Sequence, residues 1–529
     1  MNSNIFKALL LFSLILTAFL WNGCSDDPTS DNSGSGNTPT AKGPAIQEFY
    51  FKHANNHTIL NGNIICDIAE DGTISNSSDI DTKILACRNI MLTPTFKVNN
   101  GNKVYVDNIE QVSGESSHDF TSPVLYKVED EKGNIAEYVV TLKFGTTGLP
   151  IVSIQTQGGR DITSKDNWLT ATISIEGGEE FEDLEEMEVQ VAGRGNSTWN
   201  YAKKPYKLKF GSKTEILGMP KHKRWVLLAN YIDKTMLRND VSFYLGKQTS
   251  LAWTPRGYHV ELILNGEHKG NYYLCEQIKI DKNRVNITEM DAESGDITGG
   301  YLMEMDTYHP DADETRFYSK YKYGSGNLIP VKIKDPEAED LSYDQLNYIR
   351  GYFHDFEDAL FGAEWLDKEK GYKNYIDIYS FIDIYLISEL IHHSEWGHPK
   401  SSYLHKDVGG KLVSGPMWDY DWTTFTKRTG WYCRDMLWYK QMFQDPEFVA
   451  MLKERWTELY PKFYSAIDYM QEMKSKLSAS AEKNYAIWDP GMSGSPNGEG
   501  SMTYEQSVDK IIDRFTERIK WLDKEIKRL

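Results

Sequence analysis

The residues best suited to chemistry sit together in Gly415-Pro416-Met417-Trp418-Asp419-Tyr420-Asp421-Trp422. Two carboxylates lie one residue apart between tryptophans, directly after a strand-like run from Lys411 to Ser414. On an extended segment, residues i and i+2 project from the same side. Asp419 and Asp421 could then aim two hard oxygen ligands at one cation. Mg²⁺ is held in this manner, by one or two carboxylates together with the phosphates of a substrate. Phosphoryl transfer is therefore the chemistry to test. The alternative is structural: a pair of turn aspartates capping the segment that follows.

Phosphates need cations. Gly193-Arg194-Gly195-Asn196-Ser197-Thr198-Trp199 leads into Lys203-Lys204-Pro205-Tyr206-Lys207-Leu208-Lys209-Phe210. Glycines let backbone N–H groups approach an anion closely. On an alternating strand Tyr206, Leu208 and Phe210 take one face, Lys207 and Lys209 the other. A glycine turn followed by a strand lysine supplies a cover for phosphates and a fixed charge beside them. Equally, Gly-x-Gly turns are common and a Lys-x-Lys face can simply be solvated. Glu276 lies in the apolar run Tyr272 to Ile278, where an unpaired carboxylate is costly. Lys207, Lys209 or Arg194 is its expected partner, either in a structural ion pair or in one that orders a phosphate-binding lysine.

Glu304 and Asp306 share one face of another strand-like run, Tyr301 to Asp306, and are open to a metal or nucleotide role. Farther along, Glu395 follows the helix-like segment that ends near His393 and is the best-placed carboxylate for a base. A carboxylate on a loop, then a short hairpin, then a metal-binding aspartate is the order of the catalytic and metal loops in protein kinases. His392, His393 and His398 raise a transition metal, but no third carboxylate converges on them in sequence.

These side chains must be positioned by a long chain. At 529 residues it exceeds one ordinary core. Residues 45–147 carry short alternating runs separated by Asp71-Gly72, Asn100-Gly101 and Lys132-Gly133, which predicts an immunoglobulin-like β-sandwich. Strand-like runs continue over residues 148–335, with Asn265-Gly266 as a hairpin turn. Beyond Asp335-Pro336 the apolar period becomes helical, through residues 336–529. Strands followed by helices make an α+β pattern.

The net charge of −19 sets an overall field that repels nucleic acid and anionic lipid, and ATP too unless cations gather locally. Lys7 is the only charge before Asp26, and the apolar run Ala8 to Leu20 is short for a membrane span but has the layout of a secretory signal. Residues 1–24 end in Gly23-Cys24 and resemble a bacterial lipoprotein signal, with Cys24 as the lipidated residue and the lipid as the membrane contact. Ser25-Asp26-Asp27 resembles the acidic tract of some surface-displayed lipoproteins, which implies an exported protein at the outer membrane, exposed at the cell surface. Residues 25–44 read as a flexible tether. Cys66 and Cys87 fall in one predicted domain and could pair; no cysteine spacing suggests zinc.

Taken in order, Arg194 to Trp199, Lys203 to Leu208, Leu228-Ala229-Asn230-Tyr231, Leu237-Arg238-Asn239, Gly270 to Gln277, Gly300 to Asp306, Ser380 to Leu390, Gly415 to Trp422 and Arg518 to Leu522 resemble the CotH family of atypical, secreted kinase-like proteins. The resemblance covers about residues 150–529. It implies a divergent protein-kinase-like domain over residues 148–529 that binds ATP and Mg²⁺ and phosphorylates Ser or Thr of a protein substrate. Asp419 would be the metal ligand with Asp421 beside it, and Lys207 or Lys209 would contact phosphate, with Arg194 and Glu276 in the same nucleotide site. The family's catalytic aspartate precedes Trp-Asp-x-Asp by a little over twenty residues; here the carboxylate in that region is Glu395. A glutamate can serve as base, although a displacement of about 1 Å can cost roughly a hundredfold in rate. The alternative is a catalytically weak scaffold whose tryptophans and tyrosines bind glycans or proteins outside the cell. A two-carboxylate glycan hydrolase fits the aromatic content but has no motif behind it.

Overall fold

The structure, a computed structural model, describes residues 43–87, 89–307, 315–323, 326–488 and 496–529. The predicted signal, Cys24 and most of the tether lie outside these residues.

The N-terminal part is built of strands apart from one helical turn, His53–Asn56. Ile46–Phe51 pairs with Ile64–Ile65 and Thr95–Val98, and a six-stranded sheet is built around Val124–Glu129 and Ile135–Thr141. Its core is aromatic: Phe49 meets Tyr126 edge-on with centroids 5.2 Å apart, and Phe51 meets Phe120 at 5.0 Å. The considered disulfide does not form. Cys66 is a buried thiol whose burial pushes it up to about 12, while the Cys87 thiol donates to the Gly266 carbonyl at 3.3 Å. That bond, with Lys483 donating to the Thr82 carbonyl at 2.5 Å, seats this part against the rest of the chain.

Seven strands then close a barrel. Their order is Ile151–Thr156, Leu169–Glu176, Leu184–Gly193, Tyr206–Ile216, Met219–Leu228, Glu267–Glu276 and Gly257–Leu264, the last returning parallel to the first. The inside is filled by Ile173, Val191, Leu208, Phe210, Trp225 and Leu262, β-branched, leucine and aromatic side chains that close-pack within a barrel. As expected, Leu208 and Phe210 face in and Lys207 and Lys209 face out. The hairpin at Asn265-Gly266 also forms, with φ of 53° and 73°, the paired positive angles of a type I′ turn.

One element departs from the strand-rich expectation for residues 148–335: a helix, Arg238–Lys247. Its apolar and polar residues are buried alike, so its amphipathic signal is weak and local periodicity does not reveal it. A separate, five-stranded antiparallel sheet is ordered Arg316–Tyr318, Pro330–Asp335, Tyr301–Met305, Ser402–Lys406, Leu412–Ser414. The helical half holds Tyr343–Phe361, begun by a Ser342/Gln345 capping box, and Ile378–Ile391, capped by Asp377 and buried along most of its length. Farther along, the expected helical period resolves into Pro446–Tyr464, Ala466–Lys476 and Ser478–Ile487, followed by Tyr504–Arg528. The architecture is mixed α+β. Among the described residues no helix is long and apolar enough to cross a membrane.

Candidate functional site

The acidic segment does not continue the Leu412–Ser414 strand, so simple alternation does not govern Asp419 and Asp421. Asp419 has φ of 64°, and Thr423 and Phe425 follow at 50° and 55°. Such angles are unusual for residues with a Cβ, most of all for β-branched Thr423, and they persist only where neighbours over-determine them. Asn239 is one such neighbour: its Oδ1 accepts the Tyr420 N–H at 2.7 Å. The Ser401 hydroxyl donates to the Asp419 carboxylate at 3.3 Å.

Asp419 opens onto a cleft of about 320 Å³ between barrel and sheet, lined also by Arg194, Ser197, Thr198, Glu304, Asp306, Lys332 and Lys334. Arg194 follows the last residue of the Leu184–Gly193 strand. The two glycines around it have different reasons. Gly193 lies under the Trp199 ring, where a Cβ would meet ring carbon at 2.3 Å; Gly195 has φ of 84°, which turns the chain into Ser197–Asn200.

Glu304 and Asp306 meet the expectation of a shared strand face and both line the cleft. Across the sheet Glu304 stands opposite Lys332 and Tyr403. Lys332 pairs with Asp306 at 3.1 Å and Lys334 with Glu304 at 3.2 Å. Burial raises Glu304 above the ordinary carboxylate range, with Lys334 opposing.

Glu395 sits on the turn Ser394–Gly397, after the long helix ends at His392 in the left-handed conformation. It is buried, with Lys400 at 3.8 Å and His393 at 3.9 Å. Burial first, then Asp419 and Asp306, push its carboxyl up to about 8, against Lys400. Burial likewise raises Asp419, with Arg194 opposing. Asp421 stands well above the usual carboxylate range, through burial and then Asp419, Asp233 and Glu395. Asp419, Asp421 and Glu395 thus share one negative field that Arg194 and Lys400 offset only in part.

Two expectations fail. Lys207 and Lys209 do not line the cleft. Lys207 lies over the Trp168 ring, 4.8 Å from its centroid, and Lys209 stands opposite Gln190 and Arg224 on the barrel wall. Nor does Glu276 pair with Lys207, Lys209 or Arg194. It accepts from Arg256 at 2.9 and 2.8 Å and from the Trp253 indole at 3.2 Å, with Arg284 at 3.7 Å. Register gives the reason: Glu276 stands opposite Trp225, which stands opposite inward-facing Leu208, whereas Lys207 stands opposite Val226 on the other face. Arg194 does reach the cleft.

The lysines that sequence reading missed are Lys332 and Lys334 on Pro330–Asp335. Their signal was present, because Val331 and Ile333 alternate with them as Leu208 and Phe210 alternate with Lys207 and Lys209. Among the described residues no three His, Cys, Asp or Glu side chains gather as a metal site on their own. Asp419 and Asp421 are hard oxygen donors of the kind used by a cation that also takes phosphate oxygens; burial first, then neighbouring carboxylates, disfavour their charged forms. Residues 191–522, more than half of the chain, match the family model described as CotH kinase protein. No curated protein matches the chain.

Proposed function

Since the chain belongs to the CotH kinase protein family, we propose that it is an atypical kinase that transfers phosphate from ATP, with Mg²⁺, to a Ser or Thr hydroxyl of a protein substrate. The observation that carries this reading is the shared cleft: Arg194 from the barrel edge, Lys332 and Lys334 from the sheet and Asp419 from the acidic loop face one space. Asp419 and Asp421 are the residues that would hold Mg²⁺. Bound there with ATP, the ion would neutralise charge on the transferring group. Arg194 and Lys334 hold phosphate oxygens, Arg194 with a planar fork of donors and Lys334 as a point charge. Glu304 and Asp306 keep the two sheet lysines ordered. Glu395 takes the proton of the attacking hydroxyl, a task for which a carboxyl raised toward neutrality is well matched.

In this reading the N-terminal β part is an immunoglobulin-like spacer, and the chain is an exported lipoprotein held by lipid on Cys24. Its substrates are then proteins at the cell exterior.

The test is calorimetry of ATP binding with and without Mg²⁺, on the parent protein and Asp419→Ala, with label transfer to protein Ser and Thr followed alongside. Mg²⁺-dependent binding and transfer are expected, both lost in Asp419→Ala. Absence of Mg²⁺-dependent binding would overturn the proposal. Binding without transfer would favour the scaffold reading, in which raised Glu395 is too protonated or too displaced to act.

A further inference from the structure

The acidic loop is strained at Asp419, Thr423 and Phe425, and something must hold it. Two residues after Asp419, the chain is gripped by a single side chain from far along the sequence. Asn497 Nδ2 donates to the Asp421 carbonyl at 2.9 Å and to the Ile232 carbonyl at 3.3 Å, while Asn497 Oδ1 accepts the Thr423 N–H at 2.8 Å. One amide thus spans Asp421 and Thr423 and uses both its donor and its acceptor ends. It is 2% exposed, so these bonds have no ready substitute in water.

The segment that carries Asn497 is itself anchored. Glu499 is fully buried against Arg238, whose Nη1 donates to Glu499 Oε2 at 3.1 Å and whose guanidinium also pairs with Asp233. Arg238 Nε donates in turn to the Thr424 carbonyl at 3.2 Å. On the solvent side Lys510 Nζ donates to the carbonyls of Asn497 at 3.0 Å and Gly498 at 2.6 Å. Asn239 and Arg238 therefore hold the loop at Tyr420 and Thr424, and Asn497 holds it between them at Asp421 and Thr423.

We infer that Asn497 is a positioning residue for the Asp419/Asp421 pair, fixing the strained loop so that its two carboxylates are presented together, with Glu499 and Lys510 securing the strap that bears it. The inference rests on the phosphotransfer reading for its consequence, but its geometry does not. Partners that orient metal ligands commonly change metal affinity by about ten- to a hundredfold.

The test uses Mn²⁺ alone as probe, titrated by electron paramagnetic resonance into the full chain, with Asn497→Ala and, as a milder variant that leaves the core intact, Lys510→Met. Hydrogen exchange over residues 419–425 and ATP binding in chelator are measured on the same proteins. Asn497→Ala should weaken Mn²⁺ binding at least about tenfold and speed exchange at Thr423, with metal-free ATP binding unchanged. Lys510→Met should shift both in the same direction, by a few-fold. Unchanged exchange over 419–425 in both variants would overturn the inference. So would a parallel loss of Mn²⁺ and metal-free ATP binding without local exchange, the mark of a merely structural role. If the parent protein binds no Mn²⁺, the phosphotransfer reading falls, and exchange at Thr423 alone still decides whether Asn497 holds the loop.

Discussion

Arg194 lies over the ring of Trp418, its guanidinium carbon 5.6 Å from the ring centroid. The stacking parks a cation beside the residue before Asp419, close enough to oppose in part the effect of burial on both Asp419 and Asp421. A guanidinium held by a ring face keeps its N–H edge available for an anion.

Arg194→Lys should therefore fail to replace it. An ammonium is a point charge that neither forks nor stacks as a plane. Calorimetry should show Mg²⁺-dependent ATP affinity falling by about tenfold, the scale of one charge-assisted hydrogen bond. An affinity equal to the parent's would remove Arg194 from the phosphate site.

The lysines divide by location. Lys334, about one-third exposed and facing the cleft beside Glu304, should matter for nucleotide; Lys207, over Trp168 on the barrel wall, should not. Lys334→Met is expected to weaken ATP binding about tenfold. Lys207→Met is expected to leave it unchanged, and the opposite ranking would restore the strand lysines to the site.

Glu395 makes a pH signature. Its carboxyl is pushed from 4.5 to about 8, by burial first and then by Asp419 and Asp306. Across that window the folded protein binds more protons than the unfolded chain, so stability falls as pH rises, by up to about 1.4 kcal/mol per pH unit from this group. The contribution is fully present below pH 4.5 and lost once pH passes the folded value. Thermal melts of Glu395→Gln should show a flatter pH dependence than the parent between those limits, with the variant gaining relative to the parent toward the alkaline end. Parallel curves would show that Glu395 titrates normally.

Glu276 should behave as a structural residue. It is fully buried between Arg256 and Arg284, and removing one partner of a buried ion pair leaves uncompensated charge. Glu276→Gln is expected to cost about 3–5 kcal/mol in denaturant unfolding, with ATP affinity of the folded protein unchanged. Loss of ATP affinity at full stability would instead place it in the nucleotide site.

Much of this protein is written in local pattern. Alternation located Tyr206 to Phe210 and separated its apolar face from its lysines, Asn265-Gly266 marked a turn, and helical spacing located Ile378–Ile391. The family resemblance also took in Arg238 and Asn239, although nothing local said what they do. Their reason is tertiary: Asn239 receives the Tyr420 amide and Arg238 donates to the Thr424 carbonyl.

Sequence by itself determined which residues have the chemistry: the Asp419/Asp421 pair, Glu395 after its helix, Arg194 at a strand end, and one Lys-x-Lys strand face, Lys207 and Lys209. It passed over the second such face, Lys332 and Lys334, and period-two alternation could not say which element each face would meet. Closure of the barrel decided that, sending Lys207 outward and Glu276 to the opposite face, while the register of Tyr301–Met305 against Pro330–Asp335 brought Lys332 and Lys334 to Glu304 and Asp306. The conformation of the acidic loop was also settled in three dimensions, since a left-handed Asp419 and Thr423 are locally unfavourable and stand only because Asn239, Arg238 and Asn497 hold them.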